Sequence, residues 1–410
     1  MSKWEWKKLG EVCEIARGGS PRPIKEYITS DADGINWIKI GDTDPTGKYI
    51  FSTEEKIKPS GIKKSRYVES GDFLLSNSMS FGRPYILKTN GCIHDGWLVL
   101  KNYQKYLDVN FFYHLLSSPI AQKQFDQEAK GSTVRNLNTD IVSKVYVPIP
   151  SLSEQNRIVK FLDEEFSKID TLKTNAETNL KNAKELFETT LEKELNPLSR
   201  HSERSEESSA DLPSGWEWIK ISTLVTKCLN IKWDKIALND SRLYIDLSSV
   251  NKDTQCIENV SEINVENAPS RAKQIIHEKD VLFATTRPTQ KRVCIVEREF
   301  DNQICSTGFC VLRPQACLES KYLFYCLLSD DYYSYIKPLE KGANYPAVTD
   351  GDVKNYEIPL PPLSVQKEIV ARLDKLSENV KRLEANYKQI IADCDELKKS
   401  ILKKTFDGES

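Results

Sequence analysis

The strongest constraint on this chain is an internal repeat. Val147-Pro-Ile-Pro-Ser-Leu-Ser-Glu-Gln155 recurs 211 positions later as Ile358-Pro-Leu-Pro-Pro-Leu-Ser-Val-Gln366, and Leu162-Asp163 recurs at the same offset as Leu373-Asp374. Trp4-Glu5-Trp6 is echoed by Trp216-Glu217-Trp218, and Gly71-Asp-Phe-Leu-Leu-Ser76 by Lys279-Asp-Val-Leu-Phe-Ala284, at slightly different offsets. Solenoid repeats have periods of about 20–50 residues, so one this long marks a duplicated domain. With 410 residues, 39% hydrophobic and 29% charged, the chain has apolar material for two or three cores, and its composition excludes a disordered or collagen-like chain.

Each half divides into a front and a back. The fronts carry short apolar runs, Asn36–Ile40, Asp72–Leu75, Pro84–Leu87 and Gly96–Leu100, that read as strands. Asp108–Leu116 and Lys321–Leu328 have the apolar face of a helix, so each front is expected to be a compact α+β head. The backs read as long helices. In the second, Ile369, Leu373, Leu376, Val380, Leu383, Tyr387, Ile390, Cys394, Leu397 and Ile401 recur at alternating steps of four and three, a coiled-coil seam. The first seam, at the same offset, is Ile158, Leu162, Glu165, Ile169, Leu172, Ala176, Asn179, Ala183, Leu186 and Thr190, with Glu165, Asn179 and Thr190 as polar interruptions. So weak a seam needs a partner, and the second helix, running antiparallel, is the natural one; the alternative is that each helix packs on its own head or makes a homodimer.

The expected order is a first head at 1–150, a helix at 151–195, a polar linker at 196–212, a second head at 213–361 and a helix at 362–405. The linker contains Leu198–Ser209, with no aromatic residue, and lets the chain turn back. Roughly 40 helical residues at 1.5 Å each make a rod of about 60 Å, with similar heads related by a pseudo-twofold.

Enzymatic chemistry is hard to find. Gly41–Tyr49 looks like a phosphate-binding loop, but has five residues between its glycines and Tyr49 where Ser or Thr should bind magnesium. The ten cysteines have no Cys-x-x-Cys spacing and the four histidines are scattered, so reduced, mostly buried thiols are expected and no metal site. No Asn-Pro-Pro-aromatic tetrapeptide of an amino-methyltransferase occurs, and Glu54-Glu55-Lys56 is too short to identify a nuclease. No apolar stretch approaches the roughly 18 residues of a membrane span, and the start has no apolar signal region, so a cytoplasmic protein is expected.

A net charge of −2 gives no global attraction for nucleic acid, and any such binding must be local. Local basic segments occur in both heads. The first has Lys63, Lys64 and Arg66, then Ser76, Asn77, Ser78 and Arg83. The second has Arg271 and Lys273, then Thr285, Thr286, Arg287, Gln290, Lys291 and Arg292. A further loop before each Pro-rich boundary carries Arg135 and Asn136, or Asn344 and Tyr345. Lys and Arg neutralise phosphates, while Arg, Asn, Gln, Ser and Thr read base edges. The alternative is that these are solvated loops, or turns that close the heads.

Two such heads, the opening Trp-x-Trp-x-x-Leu, the Gly-Asp-Phe-Leu-Leu-Ser strand followed by Gly82-Arg83, and the Pro-x-Pro-x-x-x-x-Gln boundary leading into a long helix resemble the specificity (S) subunit of type I restriction-modification systems, over essentially the whole chain. The resemblance implies two target recognition domains reading a bipartite, asymmetric double-stranded DNA target. It implies antiparallel helices that act as a ruler and dock two methyltransferase (M) subunits and, through them, restriction (R) subunits. It implies no catalysis by this chain. Adenine-specific DNA methyltransferase and site-specific endonuclease activities, with S-adenosylmethionine, ATP and magnesium, belong to the partners. Ala284-Thr-Thr-Arg-Pro288 and Val365 depart from the first copy's pattern. The competing readings are a coiled-coil scaffold that binds protein rather than DNA, and a DNA-acting enzyme whose site is not apparent.

Overall fold

The computed structural model describes residues 4–44, 46–77, 81–128, 136–196, 213–237 and 240–407. The chain forms two compact units, Met1–Glu177 with Lys388–Ser410, and Thr178–Tyr387. Each holds one mixed α/β head and a length of both long helices.

In the first unit the head closes on itself through an antiparallel ribbon, Glu5–Lys8 against Tyr146–Ile149 with Trp6 opposite Pro148, so the chain enters and leaves at one place. Behind it lie two five-stranded sheets. One is ordered Glu14–Arg17, Trp97–Lys101, Phe73–Ser76, Pro84–Leu87, Tyr49–Ile50; the other runs Ile28–Thr29, Glu55–Ile57, Ile35–Ile38, Gly91–Ile93, Arg66–Val68. Trp97, Leu98, Val99 and Leu100 are all buried, because their strand is covered on both faces. Leu98 and Leu100 pack with Phe111 and Phe112 of the helix Val109–Ser117, while Trp97 and Val99 pack with Ile38 and Tyr85 toward the second sheet. An uninterrupted apolar run is what a doubly covered strand requires. The carboxylate of Asp108 starts that helix by accepting from the backbone of Asn110 and Phe111.

The second unit repeats the plan with four-stranded sheets. Glu217–Lys220 pairs with Glu357–Leu360; one sheet is Val225–Thr226, Phe309–Pro314, Val281–Ala284, Val293–Ile295, and the other Ser261–Ile263, Arg242–Ile245, Gln303–Ser306, Ala272–Ile276. Val281, Phe283, Cys310 and Leu312 face the core formed with the helix Ser320–Leu328, and Leu282, Ala284, Phe309 and Val311 face the other.

The long helices are Leu152–Leu195 and Leu363–Phe406, 44 residues each. Gln155, fully buried, accepts from the backbone of Asp108 (2.7 Å) and donates to the carbonyls of Tyr106 and Pro150 (2.9 Å each). Gln366 does the same with Glu319, Cys317 and Pro361, so the repeated spacing between prolines and glutamine builds a clamp between head and helix.

Inside the first unit the two helices run antiparallel: Lys173 meets Asp395 at 2.7 Å, Asp170 meets Lys398, and Ile158 and Leu162 share a core with Leu402 and Phe406. Inside the second, Leu191 and Leu195 share a core with Ile369 and Leu373, and Arg372 grips Glu194 with two hydrogen bonds.

The expected seam is corrected at alternate positions. Ile158, Leu162, Ile169, Ile369, Leu373 and Val380 are buried, and Leu376 and Ile401 half-buried. Leu172, Leu186, Leu383, Ile390 and Leu397, however, are 38–57% exposed. The next residues along, Lys173, Phe187, Glu384, Ile391 and Lys398, are turned further inward. Phe166, Leu180 and Leu191 likewise take the places assigned to Glu165, Asn179 and Thr190. The packed face keeps the seven-residue repeat, with Leu162, Ile169, Ala176 and Ala183 buried in one helix and Leu373, Val380 and Cys394 in the other; its second line falls four residues after each of these rather than three, which leaves the apolar residue at the third place beside the seam.

Candidate nucleic-acid interface

In the first head a turn at His94–Gly96 anchors the loops. The backbone N–H of Asn77 donates to the Gly96 carbonyl (3.0 Å), its side-chain amide donates to the Asp95 carbonyl (2.7 Å), and its own carbonyl accepts from Leu137 (2.8 Å). The loop after Ser76 is closed by Gly82 donating to the Ser76 carbonyl and by Arg83 donating to the Ser76 hydroxyl. Gly82 has φ +72°, and a Cβ there would lie 3.0 Å from Phe125, which explains the glycine.

The second head is stitched at the corresponding places. Thr285 donates its N–H and hydroxyl to the Gly308 carbonyl (2.8 and 2.9 Å), and its carbonyl accepts from Val348 (2.9 Å). Thr286 bridges Ala347, and the N–H of Arg287 donates to Pro346 (2.7 Å). In both heads, then, the end of the central strand is tied to the segment before the Pro-rich boundary, through Leu137 in the first and through Pro346 and Val348 in the second.

The named residues fall into three groups. Lys63, Arg66, Arg271, Lys273, Arg287, Gln290, Asn344 and Tyr345 are exposed. Arg66–Val68 and Ala272–Ile276 are equivalent edge strands of their sheets, so Arg66 and Lys273 stand at matching rims. A second group is bound up in the fold. Ser76, Asn77 and Thr285 are buried, a correction to their expected exposure: they position the loops. Arg292 donates to the carbonyls of Leu247 (3.2 Å) and Val250, and Lys291 pairs with Asp330 at 2.9 Å. Arg83 is half-buried over the Tyr85 ring and donates to the Gly47 carbonyl (3.3 Å). Lys64 donates to the Tyr27 hydroxyl (2.6 Å), and Thr286 and Asn136 are half-buried, the Asn136 side-chain oxygen having no hydrogen-bond partner among the described residues. Ser78 and Arg135 lie outside the described residues.

Reading the sequence missed the residues around the His94–Gly96 turn. Arg17 donates to the Asp95 carbonyl (3.2 Å), Ser20 to its carboxylate (2.9 Å), and the exposed Arg22 stands 3.7 Å from that carboxylate. Burial works against the ionised Asp95, but the Ser20 hydrogen bond and the charges of His94 and Arg17 hold its pKa below the usual carboxylate value. These residues are brought together only by strand pairing, which leaves no spacing signal. Among the described residues no group of three or more His, Cys, Asp or Glu side chains is placed to hold a metal ion.

The family pattern of the type I restriction modification DNA specificity domain matches residues 1–182 and, a second time, 213–392. The chain belongs to that family. Among relatives, it is 24% identical to the type I restriction enzyme MjaIX specificity subunit of Methanocaldococcus jannaschii over 99% of this chain and 93% of that protein. It is 22% identical to the StySPI specificity subunit of Salmonella potsdam over 99% of this chain and 89% of that protein. Two solved structures share the fold. One, from a study of assembly and conformational transition of the type I restriction-modification system, superposes with a TM-score of 0.76 at 22% identity, over 99% of this chain and 98% of that one. The other, the HsdS subunit of Thermoanaerobacter tengcongensis, gives 0.60 at 22% identity, over 100% and 98%. The stitched loops of this specificity subunit therefore sit in recognition domains. Among its described residues, no helix is long and apolar enough to cross a membrane.

Proposed function

We infer that this specificity subunit reads a bipartite, asymmetric duplex DNA target, each head taking one half-site in the major groove. The observation that carries this reading is the pairing of identical main-chain stitching with different side chains. Leu137 to Asn77 and Val348 to Thr285 are the same bond, yet a half-buried Arg83 follows the central strand of one head where an exposed Arg287, beside Tyr345, follows that of the other. A fixed frame with changed donors and acceptors suits two different half-sites. The exposed arginines and lysines meet phosphates, and the affinity falls steeply with salt.

The chain supplies no catalysis in this reading. Two methyltransferase subunits dock on the helices, and restriction subunits bind through them. S-adenosylmethionine, ATP and magnesium are bound by those partners, which methylate adenine and cut DNA in the cytoplasm. The exposed Leu172, Ile390 and Leu397 of the first unit, and Leu186 and Leu383 of the second, support a docking role, because large apolar side chains left in water on an otherwise charged helix suit a partner's apolar face.

The test is to co-express the chain with its methyltransferase and map the modified adenines. Two unlike half-sites at one fixed spacing are expected. Equal retention on all sequences, or methyl transfer by the purified chain alone, overturns the reading.

A further inference from the structure

In the second head one arginine is built to do more than touch phosphate. Arg287 has φ +51° and ψ +54°, and Lys291, four residues on, has φ +53°; both are left-handed conformations that a non-glycine residue adopts at a cost. The two bracket the short turn Pro288–Gln290, and the Arg287 N–H is tied to Pro346, so the strain is held by the neighbouring loop. Its guanidinium carbon lies 4.9 Å from the centre of the Tyr345 ring, itself 70% exposed, and Nη2 donates weakly to the Asn344 carbonyl at 3.4 Å. With an aromatic ring beneath it in open solvent and no core to serve, the planar fork is restricted in the positions it can take. Among the described residues that weak bond is the only one the guanidinium makes, and four of its five N–H donors remain free.

Arg83, in the loop at the corresponding place of the first head, is disposed differently. It is half-buried over Tyr85, close to the Asp44 carboxylate, and donates to Gly47. The two loop arginines are not equivalent readers.

We propose that Arg287 is a specificity-determining residue that reads guanine, its guanidinium fork donating to O6 and N7 in the major groove with Tyr345 as the platform that fixes its plane; this rests on the DNA-reading function inferred above. Guanine alone presents two acceptors side by side there, and a flat, preoriented fork matches them. A phosphate contact would need neither the stacked ring nor the strained backbone.

The experiment uses the complex of the full chain with its methyltransferase, and duplexes in which each base pair of the mapped target is changed in turn. Competition binding at fixed salt should show wild type discriminating at one G·C pair of one half-site by roughly 5- to 150-fold, the equivalent of about 1–3 kcal/mol. Arg287→Ala should abolish discrimination at that pair and leave the other half-site intact. Arg287→Lys, which keeps the charge and loses the fork, should also lose it, and Tyr345→Ala should reduce it. Unchanged melting temperatures confirm that the exposed substitutions leave the fold alone. A uniform loss on all duplexes would make Arg287 a phosphate contact, and undiminished preference in Arg287→Ala would remove it from recognition; either overturns the proposal and leaves the family reading standing. A wild-type complex with no sequence preference would overturn both.

Discussion

Single residues show why part of this chemistry was readable and part was not. The aspartate of the repeated strand motif was visible as a repeat but not as a partner. Asp72 accepts from Lys101 at 2.9 Å, and Asp280 receives a two-pronged Arg313 at 2.8 and 2.9 Å. Asp280 is 1% exposed and also accepts from the His277 backbone, so Asp280→Ala strips both prongs from a partly buried Arg313 that keeps only its bond to the Ile275 carbonyl, and is expected to cost about 1–3 kcal/mol, read as a lowered urea midpoint. His114 is a second case, since its Nε2 lies 2.9 Å from the Asp163 carboxylate while Tyr325, 211 positions later, donates to Asp374. Burial pushes the His114 pKa below the usual imidazole value, against the opposing pull of Asp163. The unfolded chain therefore takes up the proton first as pH falls. The histidine's contribution is whole above about pH 6.5 and is lost as pH drops through the folded value. Melting temperature measured from about pH 7.5 down to about pH 5.5, across the free imidazole value, should decline in wild type and decline less in His114→Tyr. The sequence marked the loops, because polar residues between apolar runs are conspicuous. It did not show which polar side chains turn inward, since Asn77 and Thr285 differ from their exposed neighbours only in the strand pairing around them.

At the level of elements, periodicity located both long helices and misplaced half of their contacts. Leu162 and Leu373, on the seven-residue line that stays buried in each helix, are fully buried, and replacing either with Ala is expected to cost about 2–5 kcal/mol. Leu383 differs. It stands 38% exposed beside the packed stripe, so Leu383→Asp should leave the melting temperature near that of wild type and reduce recovery of the methyltransferase complex in gel filtration. A strongly lowered melting temperature would place Leu383 back in the seam. The doubly covered strands were legible because nothing but an apolar run survives between two layers, whereas the order of strands within each sheet rests on long-range pairing that no local pattern encodes.

For the whole molecule, duplication carried most of the information. A 211-residue offset announced two heads and two helices before any element was assigned, and the family match repeats at the same places. In the proposed function the helices set the separation of the half-sites, so adding one heptad to both should lengthen the spacer in the mapped target; an unchanged spacer would show that helix length does not measure it. The glutamine clamps bear on how such a molecule changes over time. Gln155 and Gln366 each hold three atoms, and every one belongs to the main chain. Such a grip on peptide groups tolerates any side chain at the positions it holds, whereas the contacts beside it, Phe111 on Phe406 and His114 on Asp163, do not. Sequence is therefore free to change in the loops far from the joint and fixed where the head packs on the helix.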